Sequence, residues 1–157
     1  MSETYSIGVD LGGTNLRIAF YNSGVDFLDT ITIPTRLSEG RECVVRDMCE
    51  AIKALAARQH NSCRLDGIAI GTPGPLELPE GILRNPPNLI GWDGFNLRHA
   101  FESVLGSSVA IESDANLAAL AEQQLRSYMP GSSGKGTRLK FYVRNLVRLL
   151  AFLERVF

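Results

Sequence analysis

The sequence predicts an α/β fold built on a mixed sheet. Three observations carry this. Two apolar runs near the N-terminus flank a Gly-Gly-Thr-Asn turn, the mark of a tight hairpin. Helical periodicity follows in residues 38–58. Short, continuous apolar runs at 67–71 and 108–112 then alternate with further helical segments. The predicted order is three strands, helix, strand, helix, strand, helix, which layers helices on a sheet.

The elements follow in order. Residues 7–11 and 16–21 read as the hairpin strands, with Asp10 at the end of the first. Residues 26–33 alternate as a third strand, ended by Pro34. In 38–58, Val44, Val45, Met48, Ile52, Leu55 and Ala56 share a helical face, with Ser38 as the expected N-cap. Residues 67–71 read as a buried strand. Thr72-Pro-Gly-Pro75 breaks regular structure, and 76–94, rich in Pro, Gly and Asn, predicts a long functional loop with a small hairpin around 79–81. Residues 95–105 read as a helix with Asn96 near its start. Residues 108–112 form a short strand, and 115–125 a strong helix capped by Ser113 or Asp114.

Composition sets outer bounds. The chain has 157 residues, 45% of them hydrophobic, and a net charge of −1. That suffices for one real core and gives no global reason to expect nucleic acid. No apolar run approaches the roughly 20 residues of a membrane span, and no secretory segment follows Met1. Cys43, Cys49 and Cys63 lack the paired spacing of a zinc site, so reduced thiols in a cytoplasmic protein are expected. The charge is unevenly placed. Residues 1–125 hold nine Lys/Arg and sixteen Asp/Glu, whereas 126–157 hold seven and one. Such a shift marks a boundary.

The first hairpin carries the chemistry. Amides from Gly12 to Asn15, with the Thr14 hydroxyl, suit a concave anion site. A carboxylate at Asp10 would repel a phosphate there unless a divalent cation lay between, which points to a Mg-nucleotide. The plainer reading is an ordinary hairpin with a surface Asp. Arg17 has two roles open to it: neutralising phosphate, or pairing with a carboxylate.

Four stretches together resemble the ROK family of sugar kinases, within the actin-like, hexokinase-type ATPase superfamily. They are Gly8-Val-Asp-Leu-Gly-Gly-Thr-Asn15, Gly67-Ile-Ala-Ile-Gly-Thr-Pro-Gly-Pro75, Asn88-Leu-Ile-Gly-Trp92 and Ile111-Glu-Ser-Asp-Ala-Asn116. Within the family the likeness is greatest to the glucokinases. The resemblance implies an actin-like (ribonuclease H-like) lobe and ATP-dependent phosphorylation of a hexose, glucose first, with fructokinase or N-acetylmannosamine kinase as alternatives. It implies Asp114 as the catalytic base. It implies Asp10, Gly12, Gly13, Thr14 and Asn15 at Mg-ATP, with Asp10 reaching Mg through water. Thr72, Pro73, Asn88, Ser113 and Asp114 fall at the sugar. Ser113 stands where members often carry Asn, and its shorter side chain reaches less far. Trp92 reads as a packing residue and Asn116 as a brace. Members are commonly homo-oligomers.

The resemblance covers a lobe at 1–125 and weakens through a Gly/Ser-rich link at 126–137. Residues 138–157 lack the family's second phosphate loop, its Glu-x-Gly-His sugar segment and its Cys-rich zinc motif. The expectation is therefore a lobe with its partner largely missing, inactive alone, and without the zinc site. The tail reads as a frame change or truncation. Lys140, Arg144, Arg148 and Arg155 line one side of a basic amphipathic helix, suited either to covering exposed apolar surface or to binding a partner. A non-catalytic remnant with such a tail is the alternative from a different functional class.

Overall fold

A computed structural model describes residues 4–22, 27–58, 64–117 and 119. Strands β1 (Thr4–Leu11), β2 (Asn15–Asn22) and β3 (Phe27–Pro34) form an antiparallel meander. Helix α1 (Arg41–Ala56) crosses from β3 to β4 (Arg64–Thr72), which pairs parallel with β1. A two-stranded hairpin, β5 (Leu76–Glu77) and β6 (Ile82–Leu83), follows. Helix α2 (Leu97–Leu105) then leads to β7 (Val109–Ser113), parallel to β4. The main sheet runs β3-β2-β1-β4-β7. Helical backbone resumes at Asp114.

Strand alternation sends successive side chains to opposite faces. Ile7, Val9, Ile18, Ile68, Ile70, Val109 and Ile111 point one way, into a buried core. Val44, Val45, Met48, Ile52 and Leu55 of α1 and Leu97 and Phe101 of α2 complete that core. The other face carries two cross-sheet rows. One runs Thr30, Ala19, Gly8, Ala69, Ala110; the next runs Thr32, Arg17, Asp10, Gly71, Glu112.

Most predicted elements stand within a few residues of their expected bounds. Ser38 is a correction. It does not cap α1 but lies in a 3-10 turn, Leu37–Glu39, ahead of it. Gly40, at φ 89°, redirects the chain, and α1 begins at Arg41 with no side-chain cap. The turn is held instead by Arg36, paired with Asp47 at 2.7 Å and with Glu39 at 2.7 Å. Asn96 does cap α2, accepting from the His99 amide at 2.8 Å. Cys43 and Cys49 are free, buried thiols of α1, and burial pushes the Cys49 thiol up to about 11. Cys63, the helix beyond residue 117 apart from 119, the 126–137 link and the 138–157 tail lie outside the described residues.

Candidate functional site

Strands β1, β3, β4 and β7 run parallel, so their C-terminal ends gather on one side of the molecule. Ligands of open α/β sheets bind at that end. Asp10, Thr35, Thr72 and Asp114 all lie at or just beyond these ends.

Asp10 faces Arg17 across the β1–β2 register, and the two form an ion pair at 3.2 Å. Of the two roles open to Arg17, the structure shows carboxylate pairing. The Asp10 side chain is 18% exposed and that of Arg17 42%. Burial pushes the Asp10 carboxyl above the usual carboxylate range. The Arg17 hydrogen bond and charge pull it back, and the Asp114 charge adds to the rise. Asp10 and Asp114, more than a hundred residues apart in sequence, are therefore electrostatic neighbours.

The turn between β1 and β2 is fixed by backbone bonds. The Gly12 amide donates to the Asn15 carbonyl at 3.1 Å. A Cβ on Gly12 would fall 2.7 Å from that same oxygen, so only glycine fits. Gly12 thus shapes the turn and spends its amide there, while Gly13 and Thr14 border an open cavity. Thr35 braces the turn from outside. Its amide donates to the Thr14 carbonyl at 2.9 Å, and its hydroxyl to the Gly12 carbonyl at 2.7 Å. Thr35 is absent from the sequence-based site, because its role depends on the pairing of Asn15 with Pro34.

Gly13 also packs against Asn88; a Cβ there would lie 3.4 Å from the Asn88 carbonyl oxygen. Gly13, Thr14 and Asn88 line a cavity of about 760 Å³ with Leu37, Ser38, Pro87 and Ile90. Asp114 and Ser113 line a second cavity, of about 440 Å³. The structure thus sets the two expected sugar contacts Asn88 and Asp114 against different cavities. Ser113 caps the helix that begins at Asp114, accepting from the Asn116 amide at 3.2 Å. Asn116 in turn donates to Glu112 at 2.9 Å, in keeping with its expected bracing role. Thr72 is fully buried and Pro73 is buried, so both shape the floor of the loop. Trp92 is buried and meets Phe95 edge-on at 5.5 Å, as a packing residue should. Arg41 lies over that Phe95 ring at 4.8 Å, tying α1 to the loop.

The donor set fits a magnesium ion brought with its nucleotide. Among the described residues no group of three or more His, Cys, Asp or Glu converges on a metal position. Mg²⁺ commonly takes one or two carboxylates and completes its shell with water and substrate phosphates. Asp10, beside the Gly13–Thr14 turn, is the carboxylate that would meet such an ion. Among the described residues no helix is long and apolar enough to cross a membrane.

Comparison with known proteins places the fold in a family. A glucokinase from Halalkalibacterium halodurans is 33% identical over 123 residues, covering 78% of this chain and 37% of that protein. The crystal structure of a ROK hexokinase from Thermus thermophilus superposes with a TM-score of 0.65 at 36% identity, covering 76% of this chain and 38% of that one. A ROK family glucokinase from Streptomyces griseus, solved with glucose and AMPPNP, gives 0.64 at 30% identity, covering 75% and 36%. The chain thus spans under two-fifths of the length of these relatives. The mixed sheet with its helices is an actin-like ATPase lobe, found in sugar kinases. The ROK family model matches residues 6–129, and the chain belongs to the ROK family.

Proposed function

We infer that this chain forms the part of an ATP-dependent hexose kinase that carries the base and the first phosphate turn, with glucose as the leading acceptor. The observation that supports this best is the placement of Asp10 and Asp114 at the C-terminal ends of β1 and β7, on one side of the sheet and next to the Gly12–Thr14 turn. In this reading Asp114 accepts the proton of the sugar hydroxyl as that oxygen attacks the γ-phosphorus and the bond to ADP breaks. The 6-hydroxyl of glucose is the expected nucleophile. Asp10 would hold Mg²⁺ through water, and Gly13 and Thr14 would face the phosphates. Mg²⁺, when bound with ATP, neutralises developing phosphate charge. In this reading a sugar held by Asn88 from the side of the turn spans from that cavity to the one at Asp114, while Ser113 caps the helix that starts at Asp114. Buried Thr72 and Pro73 support the loop beside it.

Phosphoryl transfer depends on positioning and charge from both walls of a cleft. This chain alone should therefore show no turnover near the usual roughly 1–1000 per second. Joined to the remaining length of a ROK glucokinase, it should phosphorylate glucose in a coupled assay with Mg-ATP. In that joined protein Asp114→Asn should lower turnover roughly 10²–10⁴-fold with glucose binding largely kept. Retention of more than half the activity would remove Asp114 from the mechanism. Parallel assays with fructose and N-acetylmannosamine would identify the acceptor.

A further inference from the structure

The first residue of α1 breaks a local rule. A helix N-terminus carries partial positive charge and favours acidic side chains. Arg41 stands there, at the head of a helix with no side-chain cap. Glu42 pairs with it at 3.0 Å, an exposed ion pair of the kind that contributes little. The other contacts of Arg41 lie about fifty residues away in sequence. Its guanidinium sits 4.8 Å over the Phe95 ring and donates to the Gly91 carbonyl at 3.4 Å.

Both contacts fall on the segment that carries Asn88. Residues 87–91 form a crest in which Pro87, Asn88, Ile90 and Gly91 are exposed and Leu89 is buried. The Trp92 amide donates to the Leu89 carbonyl, and the Phe95 amide to the Trp92 carbonyl, each at 3.1 Å. Leu89 and Trp92 thus hold the crest from the core, while Arg41 holds it from α1. A crest with so few buried side chains opens locally at little cost. Restraint from Arg41 lowers the ordering left to be done when a ligand binds.

We propose that Arg41 is a positioning residue for the acceptor: it sets the crest so that Asn88 meets the sugar, without touching the sugar itself. The inference rests on the hexose-kinase reading, which places Asn88 at the acceptor.

Two measurements on the full 157-residue chain test this: acrylamide quenching of Trp92, its single tryptophan, and saturation-transfer NMR titration with glucose. Arg41→Met keeps the length of the side chain and removes its charge and its donors. Trp92 should become more open to acrylamide. Glucose affinity should fall about two- to fivefold, as loss of an exposed cation–π contact implies. Arg41→Lys keeps a cation within reach of the ring and should lose less. Arg58→Met removes another exposed ion pair, with Asp29 just beyond the far end of α1, and should change neither reading. Glucose bound by Arg41→Met as tightly as by the parent would overturn the inference and leave the hexose reading standing. So would an equal loss in Arg41→Lys or in Arg58→Met. A parent chain that binds no glucose would overturn the inference together with the hexose reading.

Discussion

The two faces of the central sheet differ in what they are made of. The face beneath α1 and α2 is aliphatic: Ile7, Val9, Ile18, Ile68, Ile70, Val109 and Ile111 are each at most 4% exposed. The opposite face carries small residues in one row and Arg17, Asp10 and Glu112 in the next. Both are written into the same strands, one residue out of phase. Ordinary hydrophobic packing stabilises the first face. The second holds a half-buried carboxylate whose proton affinity is raised by burial and by a second carboxylate. The core and the candidate site are thus divided by strand alternation within single β-strands.

The largest expected effect lies on the aliphatic face. Phe101 of α2 is fully buried in the core, so Phe101→Ala should destabilise the chain by about 3–5 kcal/mol in denaturant titration. A loss under about 1 kcal/mol would mean that this face does not dominate stability.

The second test concerns Asp10. A carboxyl whose pKa is raised on folding binds its proton more tightly in the fold than in the unfolded chain. Its stabilising contribution is therefore full at acid pH and is lost as pH rises through the raised value. Asp10→Asn mimics the protonated form. The variant should melt at a higher temperature than the parent at pH 7, with the gap closing below the usual carboxylate range, while losing Mg-dependent phosphate binding. A variant less stable at pH 7 would show that the Arg17 bond outweighs burial and would erase the contrast between the faces.

The smallest effect should come from Arg17→Met. The Arg17 side chain is 42% exposed, and solvent-screened ion pairs contribute roughly 0–1 kcal/mol. Its loss should cost no more than about 1 kcal/mol at neutral pH and less at acid pH, where Asp10 is protonated.

Much of this was legible in sequence because it was local. The Gly-Gly-Thr-Asn turn placed Asp10 and Arg17 at equal distances from the hairpin tip, and the structure pairs them. The periodicity of 38–58 marked α1, and Asn96 marked the start of α2. The rest depended on tertiary register. Thr35 reaches the turn only because Pro34 pairs with Asn15, a register that alternation alone leaves open. Ser38 had the chemistry of a cap, but Gly40 turned the backbone two residues later. The separation of Asn88 from Asp114 follows from the path of residues 73–96, which no periodicity encodes.

That path has a consequence for how the molecule meets a protease. The segment is long and mostly without regular structure, the usual profile of a nicking site. Yet the Gly94 amide donates to the Leu83 carbonyl at 2.8 Å, Leu83 to Phe95 at 3.0 Å, and Leu97 to Gly81 at 3.0 Å. Its return strand is stitched to its outgoing one, with Leu83, Leu89 and Trp92 anchored in the core. Cleavage needs several consecutive residues drawn out into an extended conformation, and here those residues are held at both ends. Digestion of the native chain should therefore spare residues 81–97, although their Pro, Gly and Asn content alone would mark them for cutting.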